Sequence, residues 1–284
     1  MSINAIKKLV VTADDFGLSV EVNEAVERAH RDGILTAASL MVAAPDAADA
    51  VARARRLPRL RIGLHLALVE AVPVLPAADV PALLGSNGRF HADMAKYGAK
   101  ILVNAAARRQ LAAEISAQFR AFHATGLVLD HVNAHKHFHL HPLIAGEVIK
   151  QARCYGAQFV RTPVEPMGVL AAVEPTGHRV DTMITAPLAR MLAFRVRRAG
   201  LRTSDQVFGL AWSGAMVRNR ILGLLAHLPD GLSEIYTHPA TKGGFPGAAT
   251  DYGYAEELAA LASPEVAQAA ARSGARLGGF RDFL

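Results

Sequence analysis

Short apolar runs alternate with amphipathic helical segments along most of this 284-residue chain. Residues 8–13 (KLVVTA) are the first such run, and residues 20–32 follow it with apolar side chains at helical spacing. This alternation predicts βα units, whose strands lie parallel to one another in one sheet. Such a sheet is covered on its faces, and hydrophobic residues make up 51% of the chain, enough for that purpose. We therefore expect an α/β fold with roughly six or seven parallel strands.

The predicted elements follow one another closely along the chain. Besides 8–13, the predicted strands are 34–42, 60–68, 127–132, 157–162 and 232–237, with a further run near 276–280. The predicted helices are 20–32, 46–57, 105–124, 142–155 and 216–228, followed by two short helices near the C-terminus. Two long connections, 70–100 and 163–215, look irregular and are of the kind that carries substrate contacts. Because no linker divides these elements, we predict one domain over residues 1–284.

Composition narrows the class of protein. No apolar stretch reaches the roughly 20 residues of a membrane-spanning helix, and the first apolar run ends in two aspartates, unlike a signal peptide. The single cysteine, Cys154, excludes an intramolecular disulfide and fits a reducing cytoplasm, where we expect the protein to reside. Lysine and arginine (31) exceed the acidic residues (25) by six. The arginines are scattered with few aromatic residues between them, so nucleic acid is not the expected partner.

Five of the twelve histidines lie between positions 131 and 141. Imidazole is the commonest metal ligand among side chains, and from 135 to 141 every second residue is a histidine. In an extended strand this alternation would place four rings on one face, where a packed core could not hold them without partners. An affinity tag or an exposed metal-scavenging tract would show the same residue type. The interleaved Phe138 and Leu140, and the distance from either terminus, favour a functional site instead.

Unusual polar residues collect where the predicted strands end. Barrel and doubly wound enzymes place their active sites at the carboxyl ends of parallel strands. We therefore expect one site that gathers residues distant from one another in the sequence. These residues are Asp14 and Asp15 after the first strand, His65 in the third, the histidine run after 127–132, Arg161 at the end of 157–162, and His238 after 232–237.

A catalytic divalent metal needs a few protein ligands and open positions for water and substrate. One carboxylate and two histidines meet this need, and Asp15, His65 and His135 are the candidates. Adjacent carboxylates permit a division of labour, in which Asp14 acts as a base beside the ligand Asp15. Two alternatives remain open: the aspartates cap the next helix, for which Ser19 lies closer, or His65 is a hydrogen-bonded core residue.

Five short motifs are spread over nearly the whole chain: TADDFG at 12–17, GLH at 63–65, the histidines at 131, 135, 137 and 139, THP at 237–239, and RLGGFRD at 276–282. Together they resemble the YdjC-like deacetylase family, and overall likeness is greatest to its branch associated with hopanoid biosynthesis (HpnK). The resemblance implies a distorted (β/α) TIM-like barrel and metal-dependent removal of N-acetyl groups from amino sugars. It also implies that Asp15, His65 and His135 bind the metal and that Asp14 and His238 form the acid/base pair.

The hopanoid branch implies deacetylation of an N-acetylglucosaminyl hopanoid, which yields the free glucosamine amine and acetate. In that site His137 would share a face with His135 and either contact the substrate or support a metal ligand. Arg161 would bind sugar hydroxyls or position Asp14, which is an effective base only if burial and Asp15 raise its pKa. The expected cofactor is one divalent metal ion. Nitrogen ligands suit Zn, Ni or Co better than Mg, but the sequence does not distinguish these metals.

A lipid-linked substrate also calls for an apolar approach to the site. Residues 187–200 combine apolar side chains with four arginines, a composition typical of a helix that lies on an anionic membrane surface. We therefore expect peripheral contact with the inner face of the membrane through this segment. A barrel helix that packs its apolar face on the sheet would show a similar pattern, and for 216–228 that interpretation is favoured.

Three other functions fit parts of the pattern. The first is deacetylation of a soluble N-acetylated oligosaccharide at the same site. A metallophosphoesterase or amidohydrolase on a similar barrel would also place histidine and aspartate at strand ends, although such sites recruit more metals and carboxylates. A metal-storage module would use the histidine run, but it would leave Asp14, Asp15, His65 and His238 without a role.

Overall fold

The computed structural model describes residues 7–174 and 180–284, and in the second range it describes side chains from Thr185 onward. One sheet of eight parallel strands forms its centre. The strands are β1 Lys7–Phe16, β2 Ala37–Leu40, β3 Arg61–Leu66, β4 Leu129–Ala134, β5 Phe159–Val160, β6 Gln206–Phe208, β7 Gly231–Thr237 and β8 Arg276–Leu277. They lie in the order β5-β4-β3-β2-β1-β7-β6, and β8 pairs with β1.

Helices connect the strands and pack against the outside of the sheet. They are α1 Val20–Asp32, α2 Ala47–Arg55, α3 Met94–Val103, α4 Ala105–Ala124, α5 Pro142–Cys154, α6 Met167–Val173, α7 Val180–Arg198, α8 Arg218–Ala226, α9 Tyr254–Leu261 and α10 Pro264–Arg272. The start of α1 agrees with its sequence signal, because the Ser19 hydroxyl accepts a hydrogen bond from the Val22 amide. Within the described part of the chain, no helix has both the length and the apolar character needed to cross a membrane.

Two contacts link the outer strands β5 and β6 and bring the sheet round into a distorted barrel. Arg202, shortly before β6, forms a parallel bridge with Phe159 of β5. The Val207 amide in β6 donates a hydrogen bond of 3.0 Å to the Val164 carbonyl, just after β5. The predicted α/β barrel is thereby confirmed, and the described residues contain eight strands where six or seven were predicted.

Side chains from alternate strand residues fill the barrel interior in layers. The lowest layer is apolar and consists of Val10, Ala37, Phe159 and Leu232, with Phe280 and Phe283 of the C-terminal segment. Two residues further along the chain from these four strand positions, the interior side chains are polar and buried, and these are Thr12, Ser39, Arg161 and Glu234. One more step along β1 leads to Asp14. The interior thus becomes polar towards the carboxyl ends of the strands, the end where barrel enzymes place their sites.

The two regions predicted to be irregular contain regular elements. Residues 70–100 include most of α3, and residues 163–215 include α6, α7 and β6. β6 has three residues, too few to show the alternation by which strands are predicted. The predicted C-terminal strand is also shorter than expected, because Arg276 and Leu277 alone pair with β1 before the chain turns under the barrel.

Candidate active site

A cavity of about 550 Å³ opens at the carboxyl ends of the strands. Asp14 and Asp15 reach it from the end of β1, and His65 reaches it from β3. His135 follows β4 directly, and His238 follows β7. The structure therefore brings together, in one cavity, the five residues that the sequence placed at separate strand ends.

Asp15, His65 and His135 form a compact cluster in this cavity. One candidate ligand atom from each lies within 4.8 Å of the others, and Asp15 Oδ1 is 3.0 Å from His135 Nδ1 and 3.3 Å from His65 Nε2. His65 Nε2 is buried and, although Asp15 Oδ1 lies 3.3 Å away, it forms no hydrogen bond of good geometry among the described residues, which is unfavourable unless another group occupies that position. Divalent transition metals are commonly bound by one carboxylate and two imidazole groups. This set of residues therefore fits the predicted metal ion.

Asp15 holds its carboxylate in the cavity through an unusual backbone conformation. Consecutive strand residues normally point to opposite faces, yet Asp14 and Asp15 both line the cavity. The φ of Asp15 is +60°, and the pairing of β1 with β2 becomes irregular here. Left-handed backbone costs a non-glycine residue about 1 to 2 kcal/mol. A strained backbone conformation beside a cluster of candidate ligands is typical of a functional position.

The carboxyl groups of both aspartates stay ionised. Burial acts to raise their pKa values, but opposite charges outweigh it in each case. His135 and His65 hold the pKa of Asp15 well below its usual range, and Arg161 and His65 do the same for Asp14. We expected Asp14 to be an effective base only if its pKa were raised. Its pKa is lowered instead, because the charge of Arg161 outweighs the effect of burial.

Arg161 lies beneath the cavity, with a fully buried side chain. Its Nη1 and Nη2 donate to the carboxylate of Asp14 at 2.5 and 3.0 Å. Nη2 and Nε also donate to Oε1 of Glu234, at 2.6 and 3.0 Å. Arg161 was predicted either to bind sugar hydroxyls or to position Asp14. Its burial leaves no access to a sugar, and its hydrogen bonds hold the carboxylate of Asp14 in place.

His238 faces the cavity from the end of β7. Its backbone amide donates to Glu257 at 2.5 Å, and its ring centre lies 4.9 Å from that of Tyr252. Ring atom Nδ1 is buried and has no hydrogen-bond partner in the described part of the chain. Burial lowers the pKa of His238 despite the opposing effect of nearby carboxylates, so the ring is neutral at neutral pH.

The histidine run folds as a turn, and the expectation of an extended segment with four rings on one face is wrong. β4 ends at Ala134, and a 3₁₀ turn covers His135–Leu140. Within the turn Lys136 and His137 have φ values of +52° and +53°. This left-handed pair changes the direction of the chain directly after β4. As a result His137 lines the cavity beside His135, although the two do not share a strand face.

The other histidines of the run do not line the cavity. His139 is fully buried, and its Nε2 donates to the carbonyl oxygen of Arg161 at 2.8 Å. His141 precedes α5 and packs against Gly98 of α3. His131 points from β4 into the barrel interior, where it contacts Asp130. Of the predicted histidine run, His135 and His137 therefore reach the cavity, and His131, His139 and His141 support the fold around it.

Three residues of the site were not predicted from the sequence. Tyr236 and Tyr252 line the cavity, and the Tyr236 hydroxyl lies 2.9 Å from Nε2 of His137. Asn133 forms hydrogen bonds with two of the cavity side chains from below. A signal for Asn133 was present, since it directly follows the predicted strand 127–132 and lies two positions before His135, on the side that the strand alternation assigns to the interior. A polar side chain there must have a polar partner.

Comparison with known proteins gives consistent matches over the length of the chain. The family model described as YdjC-like protein matches residues 8–272. A carbohydrate deacetylase of Geobacillus stearothermophilus is 29% identical over 278 residues, which cover 96% of this chain and 97% of that protein. A human carbohydrate deacetylase is 32% identical over 247 residues, 82% of this chain and 74% of that protein. A relative of the same name from Brevibacillus brevis is 40% identical over 148 residues, which span 52% of this chain and 56% of that protein.

The fold has a counterpart among solved structures. It is the crystal structure of a "putative cellobiose-phosphate cleavage protein" from Enterococcus faecalis, which superposes with a TM-score of 0.76 at 26% sequence identity. The superposition covers 98% of this chain and 99% of that one. The barrel and its connections are therefore shared over almost the whole length of both proteins.

Proposed function

The chain belongs to the YdjC-like protein family, and from this premise we propose that it is a metal-dependent carbohydrate deacetylase. The reaction is hydrolysis of an acetamide on an amino sugar, which yields the free amine and acetate. One observation carries the proposal: Asp15, His65 and His135 cluster in an open cavity, and His65 Nε2 forms no hydrogen bond of good geometry with the described residues. The relatives named carbohydrate deacetylases, from bacteria and from human, support the substrate class.

Asp15, His65 and His135 are the residues that would hold the metal ion. Three protein ligands leave positions free for water and substrate, as catalysis requires. A divalent ion bound there supplies Lewis acidity, which polarises a carbonyl group and lowers the pKa of water from about 16 towards 7.

Asp14 and His238 are the proposed acid/base pair. Asp14 accepts a proton from the attacking water, and because Arg161 keeps it ionised, its carboxylate is free to accept at every working pH. The charge of Arg161 also makes Asp14 a weak base, so Asp14 can accept the proton only from a water molecule whose own pKa is already lowered. The His238 ring is neutral beforehand, so the proton that Asp14 takes from the water must pass to it. His238 then delivers this proton to the sugar nitrogen as the C–N bond breaks, since an amine does not leave as an anion.

The proposed substrate is an N-acetylglucosaminyl lipid, specifically an N-acetylglucosaminyl hopanoid. Its support is the likeness of the sequence motifs to the hopanoid-associated branch and an exposed apolar stripe on α7. Leu188, Met191 and Phe194 are 40%, 37% and 63% exposed and follow one another at intervals of three residues. This spacing places them along one side of the helix, where an apolar aglycone or a lipid surface can contact them.

The position of α7 supports peripheral contact with an anionic membrane. The side chains of Arg190, Arg197 and Arg198 are exposed on the same helix, which combines positive charge with the apolar stripe. α7 packs against the turn that carries His135 and His137, and Arg195 in α7 donates to the carbonyl of Pro142 at 2.7 Å. A membrane bound to α7 would therefore lie beside the rim of the cavity.

Acetate release tests the proposal on two substrates, an N-acetylglucosaminyl hopanoid in anionic vesicles and a soluble N-acetylated chito-oligosaccharide. Wild-type protein loaded with Zn²⁺, Co²⁺, Ni²⁺ or Mg²⁺ should release acetate from the lipid with at least a tenfold higher kcat/KM, and His135→Ala should release none. Turnover of the soluble sugar alone would contradict the proposal that the substrate is a lipid, but it would still support deacetylase activity. Turnover of neither substrate with any of the four metals would contradict the deacetylase itself.

A further inference from the structure

Asn133 connects two of the candidate catalytic groups from beneath the cavity. It is fully buried at the end of β4. Its Nδ2 donates to Oδ1 of Asp14 at 3.1 Å and to the hydroxyl of Ser39 at 2.9 Å. Its Oδ1 lies 2.6 Å from Nδ1 of His65. Because a carboxylate only accepts, the amide nitrogen must face Asp14, which leaves the amide oxygen to face His65.

We propose that Asn133 is a positioning residue for the deacetylation, an inference that rests on the proposed function. Its oxygen accepts the Nδ1 proton of His65, so that the lone pair of the imidazole lies on Nε2, the atom that faces Asp15. Its nitrogen fixes Oδ1 of Asp14 at the same time. One side chain thereby sets the donor atom of a metal ligand and the orientation of the proposed base.

A buried column of polar groups below Asn133 holds its amide in this orientation. Ser39 accepts from Asn133, so its own proton must go to Nε2 of His131, which lies 2.9 Å away. Nδ1 of His131 then carries a proton and donates to Oδ2 of Asp130 at 3.0 Å. The donor and acceptor roles are therefore consistent along the whole column.

The column ends at the bottom of the barrel on backbone amides. The carboxylate of Asp130 accepts from the amides of Phe280 and Arg281 at 3.2 and 2.9 Å. Because a carboxylate at this end can only accept, a neutral His131 ring must present its lone pair to Ser39, and this sets the direction of the hydrogen bonds above it. A flipped Asn133 amide would face both the carboxylate of Asp14 and the hydroxyl oxygen of Ser39 with its own oxygen, and both contacts would be lost.

Two substitutions separate the two contacts of Asn133. Asn133→Ala removes both, whereas Asn133→Asp keeps an acceptor for His65 but places a second carboxylate against Asp14. Gln118→Ala is the matched control, since Gln118 is also a buried amide but bonds to Glu114 and to the backbone of Ala67. Thermal unfolding of each variant shows whether it is folded.

The first readout is Zn²⁺ affinity of the metal-free proteins by calorimetry. Loss of the partner of a ligating histidine typically weakens metal binding about 10- to 100-fold, and we expect this for Asn133→Ala. Asn133→Asp should bind Zn²⁺ within about threefold of wild type yet lose most of kcat at unchanged KM. Gln118→Ala should match wild type in both. Unchanged Zn²⁺ affinity in folded Asn133→Ala would overturn the inference.

The second readout needs no variant of Asn133. In ¹⁵N-histidine NMR spectra of the Zn²⁺-loaded wild type, the signals of His65, assigned with His65→Gln, should show a proton on Nδ1 and the metal on Nε2. A proton on Nε2 instead would overturn the inference. Both readouts are independent of turnover, so a protein that releases no acetate but shows the expected tautomer and affinities would contradict the proposed function and leave the role of Asn133 standing.

Discussion

Arg161 joins two carboxylates in the interior of the barrel, and its charge determines the state of both the site and the core around it. Asp14 and Glu234 are buried, and each depends on the guanidinium for compensation. The guanidinium also lies 4.6 Å from the ring of Tyr236, which lines the cavity. Support of Asp14 was one of the two roles predicted for Arg161, but no pattern in the sequence reveals Glu234 as its second partner, because β7 meets the end of β5 only in the folded barrel.

Replacing Arg161 by Met should destabilise the protein strongly. Removing one partner of a buried ion pair leaves an uncompensated charge and costs about 3 to 5 kcal/mol. Arg197→Met is the control, since Arg197 is 55% exposed and lies 3.9 Å from Asp205. The control should change the free energy of unfolding by less than about 1 kcal/mol. Urea denaturation of both variants measures the difference, and equal stabilities would contradict the central role given to Arg161.

At the scale of elements, β4 and the turn after it show where sequence reasoning succeeds and where it stops. The strand was predicted, and alternation correctly implies that His131 and Asn133 face the interior. The alternation of histidines continues beyond the strand, but the chain does not stay extended, because Lys136 and His137 adopt left-handed backbone. The periodicity of the sequence does not predict this change of backbone conformation, because tertiary contacts impose it.

The contact between β3 and β4 explains the glycine of the GLH motif. A Cβ added at Gly63 would lie 2.4 Å from Cε1 of the His131 ring. The interior position that Gly63 leaves empty on β3 is therefore occupied by that ring.

Gly63→Ala should thus be destabilising. Forcing an extra carbon into a packed interior costs about 1 to 3 kcal/mol, and displacement of His131 should also weaken Zn²⁺ binding through Asn133. Gly168→Ala in α6 is the matched control, because nothing lies within 4 Å of its added Cβ and alanine favours helix. Chemical denaturation and Zn²⁺ calorimetry check both variants, and a neutral Gly63→Ala would show that the ring does not fill this position.

Glu165 anchors the loop after β6 to the rest of the barrel. Its carboxylate accepts hydrogen bonds from the amides of Gly209, Leu210 and Ala211 at 2.9 to 3.1 Å. Leu210 lines the cavity, so this anchor holds part of the cavity wall. Burial raises the pKa of Glu165 to about 7, although the three amides act in the opposite direction.

This raised pKa predicts a loss of stability as the pH rises. Between about pH 4.5 and pH 7 the folded protein retains a proton that the unfolded chain releases, so the free energy of unfolding falls through this window. Glu165→Gln cannot lose that proton. From pH 5 to pH 8, wild type should therefore lose roughly 1 to 3 kcal/mol relative to the variant. Parallel urea-denaturation profiles across this range would contradict the raised pKa.

At the scale of the whole molecule, the alternation of strands and helices was sufficient to predict a parallel sheet and the end at which the site lies, whereas the barrel was implied by the resemblance to the YdjC-like family. Asp15, His65 and His135 come from different strands, and their meeting follows from the rule that parallel strands end at one edge. The supporting groups could not be predicted in this way. Glu234 and Asn133 act from beneath the cavity, and their partners are fixed by strand order and register, which the pattern leaves open.

The apolar stripe on α7 predicts binding to anionic vesicles. Leu188, Met191 and Phe194 are exposed together, and replacing all three by Ser should abolish co-flotation with vesicles that contain phosphatidylglycerol. The control is Leu102→Ser with Val103→Ser, which removes exposed apolar side chains at the end of α3. The control protein should float as wild type does. Failure of wild type to bind at moderate salt, or equal flotation of the α7 variant, would contradict the membrane contact.

The most direct test of the central claim measures bound metal and acetate release together in wild type, His135→Ala and Asp14→Asn. Wild type should hold one Zn²⁺ per chain after loading, lose acetate release on chelation, and regain it when Zn²⁺ returns. His135→Ala should lose both the metal and the activity, because a ligand is gone. Asp14→Asn should keep the metal but lose at least about 100-fold in kcat, because an amide cannot accept the proton. Acetate release that survives chelation, or near wild-type turnover by Asp14→Asn, would contradict the account.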